Sequence, residues 1–176
     1  MDHELEYPWT LYVTKQRTVQ GFEKSTKEWE DRLEKINTFT TAESFWGVIN
    51  NIRPPSEMKN ERGDLYLFRD SILPEWEHPK NVGGGSIVIN FDPNKVDDVW
   101  LRVQLAVIGN CIEDSECICG LELAIRKNRY KIALWVSNAK TETLQQVAGK
   151  IKTLSHGISA DFRRHESVDK VEFNKT

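Results

Sequence analysis

The sequence has little of what membrane insertion, disulfide bracing or catalysis would need. No run among its 176 residues is apolar over the roughly 20 positions a bilayer span requires. The opening Met1-Asp2-His3-Glu4-Leu5-Glu6 lacks the basic and apolar segments of a secretory leader. A cytoplasmic setting is the expectation, with the nucleus as a second one. Cysteine is scarce: Cys111, Cys117 and Cys119 are an odd number in one stretch. That argues against a disulfide framework and for a reducing compartment. Their spacing is no zinc knuckle and lacks a second ligand pair, so buried free thiols are expected. Positive charge is not in excess either. The formal net charge is -3, so any polyanion must meet a local basic patch.

Catalytic signatures are also missing. Neither Gly-x-Ser-x-Gly nor His-Glu-x-x-His occurs, and His3, His78, His156 and His165 are scattered through polar segments, as solvated surface histidines are. Asp97 and Asp98 suit the first turn of a helix better than a metal site. Gly83-Gly84-Gly85 reads as a flexible entry to a strand and not as a strand-to-helix turn. No Gly-Lys-Ser/Thr follows it, which excludes a phosphate loop and a dinucleotide turn. The residues therefore indicate no enzyme, metal site or cofactor.

With 39% apolar and 29% charged residues, what is there suits one globular domain over residues 1–176, with a polar arm at 1–7. Trp9 to Thr14 alternates as a strand, and Lys15 to Glu28 reads as a long polar loop ending near Trp29. Leu33–Phe39 is a second strand. Thr40 or Thr41 caps a helix carrying Phe45, Val48, Ile49 and Ile52, which Pro54-Pro55 stops. Strands follow at 64–69 and 86–91. Val96, Val99, Trp100, Val103 and Val107 then recur at helical spacing. Residues 118–125 and 130–136 form a hairpin, residues 141–154 a third helix, and 168–173 an edge strand. The class is α+β: a single antiparallel sheet of about eight strands with three helices on one face and the other face open.

Six tryptophans need places in this scheme. Trp76 lies in Leu73-Pro74-Glu75-Trp76-Glu77-His78-Pro79, where two prolines exclude a helix or a central strand. An indole beside a carboxylate suits a planar ligand with donors on one edge, such as a nucleobase; the alternative is a ring folded onto the core. Arg126 and Lys131 fall on the non-core face of the hairpin near Trp135, with Lys127 and Arg129 in its turn. This is a candidate phosphate patch, or else a solvated tip. Leu101, Leu105 and Ile108 form a second apolar stripe about 150° from the buried one, and Trp46 is misplaced by about 110° on its own helix. Such faces meet a second layer or a partner.

The motifs Pro8-Trp9-Thr10-Leu11-Tyr12, Glu43-Ser44-Phe45-Trp46 with Asn51-Ile52, and Leu65-Tyr66-Leu67-Phe68-Arg69-Asp70 occur in order. They continue with Ile72-Leu73-Pro74-Glu75-Trp76-Glu77, Gly84-Gly85, Val99-Trp100-Leu101 with Ile108-Gly109, Cys119-Gly120, and Lys131-Ile132-Ala133-Leu134-Trp135. With these motifs the chain resembles the mRNA cap-binding translation initiation factor 4E family over about residues 3 to 151.

The resemblance implies a curved antiparallel sheet with three helices on its convex back and a 7-methylguanosine cap in the hollow. Trp29 and Trp76 match the indoles that sandwich the cationic base. Glu77 matches the carboxylate reading guanine, Trp135 the contact to the N7 methyl, and Arg126 and Lys131 the phosphate binders. Lys127, Asn128 and Arg129 are further phosphate candidates. His3, Trp46, Leu101, Leu105 and Gly109 match a dorsal patch that docks a Tyr-x4-Leu-Φ helix of a scaffold initiation factor or a binding-protein repressor. The implied role is recruitment of capped mRNA by a monomer, with a cap-binding repressor, a specialised isoform or a protein-interaction module of weak cap affinity as alternatives. The sequence departs from the family at Tyr12 and Ile87, usual tryptophans, and at Ser86, often arginine. Residues 156–176 align poorly.

Overall fold

The computed structural model describes residues 1–14, 30–58, 63–127 and 129–165. The expected loop at 15–28, with Trp29, Asn128 and the edge strand at 168–173, lies outside the described residues. Seven strands are present among the described residues: β1 (Glu4–Thr14), β2 (Leu33–Thr41), β3 (Gly63–Arg69), β4 (Gly85–Asn90), β5 (Ile118–Arg126), β6 (Arg129–Val136) and β7 (Ser159–Arg164). They form one open, curved sheet in the order β2-β1-β3-β5-β6-β4-β7, with every adjacent pair antiparallel.

Among the described residues three helices of eight residues or more cover one face: α1 (Ala42–Ile49), α2 (Val96–Ile108) and α3 (Thr141–Ser155). α1 begins at a reciprocal cap, in which the Thr41 hydroxyl accepts from the Ser44 amide at 3.1 Å and Ser44 Oγ accepts from the Thr41 amide at 3.2 Å. α2 buries Val96, Val99, Trp100, Val103 and Val107, the stripe its periodicity predicts. Under the helices, Leu11, Leu67, Leu121, Leu123, Ile132 and Leu134 stand on the sheet with Phe45, Val147 and Ile151 above them. Burying such a side chain stabilises the fold by about 1.5–3 kcal/mol each before conformational entropy is counted.

Two expectations are corrected. The first strand begins at Glu4, not after Pro8, because the supposed arm pairs with β2 through Glu4 and Thr41. β7, docked on β4, is a strand the sequence does not predict, because Ser-Ala-Asp-Phe-Arg-Arg hides any alternation. The glycine triplet serves close approach as much as flexibility. Only Gly83 has positive φ, whereas a Cβ on Gly84 would strike the Val136 carbonyl and one on Gly85 the Arg163 carbonyl.

Candidate nucleotide-binding hollow

Alternation sends every second strand residue to the open face, where the register lines them up in rungs. One rung runs Phe68, Gly120, Trp135, Ser86 and Arg163 across β3, β5, β6, β4 and β7. The next runs Tyr66, Glu122, Ala133, Val88 and Asp161. Gly120 is required here, since a Cβ would overlap the Phe68 ring. Phe68 therefore lies across the rung and meets Trp135 edge-on at 5.4 Å between centroids. Tyr66, Phe68, Cys119 and Trp135 form a small buried cluster on this face.

Trp135 is the floor, only 5% exposed, and its indole N–H donates to Glu122 Oε2 at 2.9 Å. Glu122 is itself buried, and Lys131 Nζ lies 3.4 Å from both its oxygens. The carboxylate thus ties a floor ring to a wall cation. It also helps burial drive the Tyr66 hydroxyl far above its ordinary range. Arg126 donates to Asp64 Oδ1 at 2.7 Å, which raises the guanidinium further. Lys131 stands opposite Ala124, and Arg126 opposite Arg129, so the two predicted phosphate cations are diagonal neighbours. Lys127 and Arg129 are exposed at the turn.

Trp76 sits in the loop between β3 and β4, half exposed at 50%, with Glu77 exposed beside it. Asn81 braces the loop from within, its side-chain amide donating to the Leu73 and Glu75 carbonyls at 2.9 and 2.7 Å. Burial raises the Glu75 carboxyl, with Glu30 and Glu77 adding to the shift.

His165 was not expected in this company. Unlike exposed His3 and His156, it is half-buried, nearly parallel to Trp76 (6.1 Å, 15°) and edge-on to Trp135 at 4.6 Å. Its Nε2 is 3.0 Å from Ser86 Oγ, and burial lowers its pKa, favouring the neutral ring. Sequence gave no signal for it, because the β7 residues leading to it are polar. The missed Glu122 was legible as an acid alternating with leucines on the open face.

On the helical face Trp46 is 38% exposed, and Leu101 and Leu105 are half-buried. Gly109 closes α2, its amide donating to the Leu105 carbonyl at 3.0 Å. His3 Nδ1 lies 2.6 Å from Glu43 Oε1, and its backbone amide donates to Oε2 at 2.9 Å. The expected buried thiols are found at Cys117 and Cys119 but not at exposed Cys111. Burial raises the Cys119 thiol to about 11. The described residues contain no cluster of three or more metal-ligating side chains and no helix long and apolar enough to cross a membrane.

The open face of the sheet gathers aromatic rings, a buried carboxylate and cations, a surface suited to a flat ligand bearing anionic groups. The sequence profile described as "Eukaryotic initiation factor 4E" matches residues 4–175. The chain belongs to this family, one of cap-binding factors and not of enzymes.

It is 37% identical over 168 residues to "Eukaryotic translation initiation factor 4E-1" of Hordeum vulgare, spanning 94% of this chain and 76% of the relative. Among solved structures, Ascaris suum eIF4E-3 with an m2,2,7G cap superposes with a TM-score of 0.83 at 30% identity, covering 95% of this chain and 93% of that one. The schistosome eIF4E complexed with m7GpppA and 4E-BP gives 0.82 at 29%, covering 100% and 93%.

Proposed function

We propose that this chain binds the 7-methylguanosine 5′ cap of mRNA in the hollow and delivers capped mRNA to a scaffold initiation factor in the cytoplasm. The observation that carries the reading is the convergence of Trp76, Trp135, Arg126 and Lys131 on one open face, with ring and charge positions linked through Glu122. A cationic methylated purine gains from the indole faces of Trp29 and Trp76 more than neutral guanine does. Glu77 accepts from the base edge, Trp135 meets the methyl group, and the cations take the phosphates, with Lys127, Asn128 and Arg129 as outer contacts. On the opposite face the His3, Trp46, Leu101, Leu105 and Gly109 patch receives an amphipathic helix of a scaffold factor or of a binding protein, such as the one in the schistosome complex.

Tryptophan fluorescence with 7-methyl-GTP and with GTP tests this. Strong quenching by the methylated ligand alone, lost in Trp76→Ala, is the expected result. Equal weak responses to both ligands would overturn the reading.

A further inference from the structure

The rung holding Trp135 ends in Arg163 on β7, directly opposite Ser86 on β4. Directly paired residues of antiparallel strands project to the same face, so Arg163 shares the hollow with Ser86 and Trp135. His165, two positions on, returns to that face and touches Ser86, Trp76 and Trp135. Along a strand such i, i+2 neighbours lie about 7 Å apart, within reach of an arginine side chain.

The cations in this hollow differ in what they already hold. Arg126 is paired with Asp64, and Lys131 lies against Glu122. The nearest acid on β7, Asp161, is engaged by Asn90 Nδ2 at 3.2 Å and Ser159 Oγ at 3.1 Å. The exposed Arg163 guanidinium has no carboxylate or hydrogen-bond partner among the described residues. Arg164 belongs to the other face and donates to the Gly83 carbonyl at 3.2 Å.

We propose that Arg163 binds the phosphate chain of the nucleotide seated on Trp76 and Trp135, supplying positive charge to the hollow from β7. The assignment rests on the proposed function and extends it to a strand whose sequence alone does not mark it. An uncommitted guanidinium presents a planar fork to phosphate oxygens and gives up no existing ion pair. Arg126 has to share its charge with Asp64.

The test measures fluorescence titrations of 7-methylguanosine and its 5′-mono-, di- and triphosphates over a salt series, in wild type, Arg163→Gln, Arg163→Lys and Arg164→Gln. Arg163→Gln is expected to weaken 7-methyl-GTP about tenfold and to leave the nucleoside unchanged. The slope of log affinity against log salt should fall by about one. Arg163→Lys should retain most of the triphosphate affinity, and Arg164→Gln all of it. Wild-type affinity and salt slope in Arg163→Gln, or an equal loss in Arg164→Gln, would overturn the assignment. Failure of the underlying reading looks different: the wild type itself would not prefer 7-methyl-GTP over GTP, and the Arg163 assignment would fall with it.

Discussion

The two faces of the sheet come from the same strands and obey different rules. Along β5, Leu121, Leu123 and Ile125 pass under the helices, while Gly120, Glu122 and Ala124 turn to the hollow. The helical side is held by close-packed aliphatic chains around Val103, Val147 and Ile151. The open side has four buried residues in its cluster, and its polar order comes from ion pairs and an indole hydrogen bond. Packing under the helices and lining of the hollow are therefore separated by single residue steps along one strand, so neighbouring substitutions should have unlike consequences.

Leu134→Ala, on the helical side, should have the largest effect. A fully buried leucine loses packing on every side, and chemical denaturation should show a loss of about 3 kcal/mol with ligand affinity per folded molecule unchanged. Gly120→Ala, on the open side, should cost about 2 kcal/mol, because the Phe68 ring must move off the rung. It should also disturb ligand binding, since Phe68 packs on Trp135. Gly149→Ala on α3 is its counterpart: nothing lies within 4 Å of the added methyl, so the same measurement should show a gain of about 0.5–1 kcal/mol. If both glycine variants behaved alike, the contrast between the faces would fail.

The smallest effect concerns the His3–Glu43 pair on the helical side, read as the melting-temperature gap between wild type and His3→Ala across pH. His3 is raised by its hydrogen bond and charge contact with Glu43, so its contribution is complete below 6.5 and is lost as pH climbs through the raised value. Glu43 is lowered from 4.5 to about 2 by the His3 side-chain and backbone hydrogen bonds, so its contribution holds above 4.5 and is lost as pH falls toward about 2. The gap should be widest between about 4.5 and 6.5 and narrow on either side. Both groups are exposed, and added salt should shrink it.

Most of the helical face was legible in the sequence, because burial there imposes a period. The Val96–Val107 stripe and the alternation of Leu121, Leu123 and Ile125 each have one physical reading, and the structure follows it. The hollow was legible at Trp76 and Trp135 as unusual residue types. It was not legible in how those residues are held. Glu122 becomes a brace only when the register sets it beside Lys131 and Trp135, and His165 becomes a neighbour of two indoles only through the docking of β7. β7 itself carries little apolar signal because it stands at the sheet's edge among the described strands and is exposed along most of its length.

The strand order also dictates when the hollow can be finished as the chain is made. β1, β2 and β3 are neighbours in sequence and in space, and they can pair as soon as they emerge from the ribosome. β4 cannot: its two partners are β6 and β7, both synthesised later. The wall carrying Ser86 has no partner among the described strands until β6 has been made, and loop closure over that span is slow compared with a hairpin. Pulse-labelled hydrogen exchange during refolding should therefore find the β4 amides protected after those of β1 and β3. On this order the open face closes after the β2-β1-β3 edge has set.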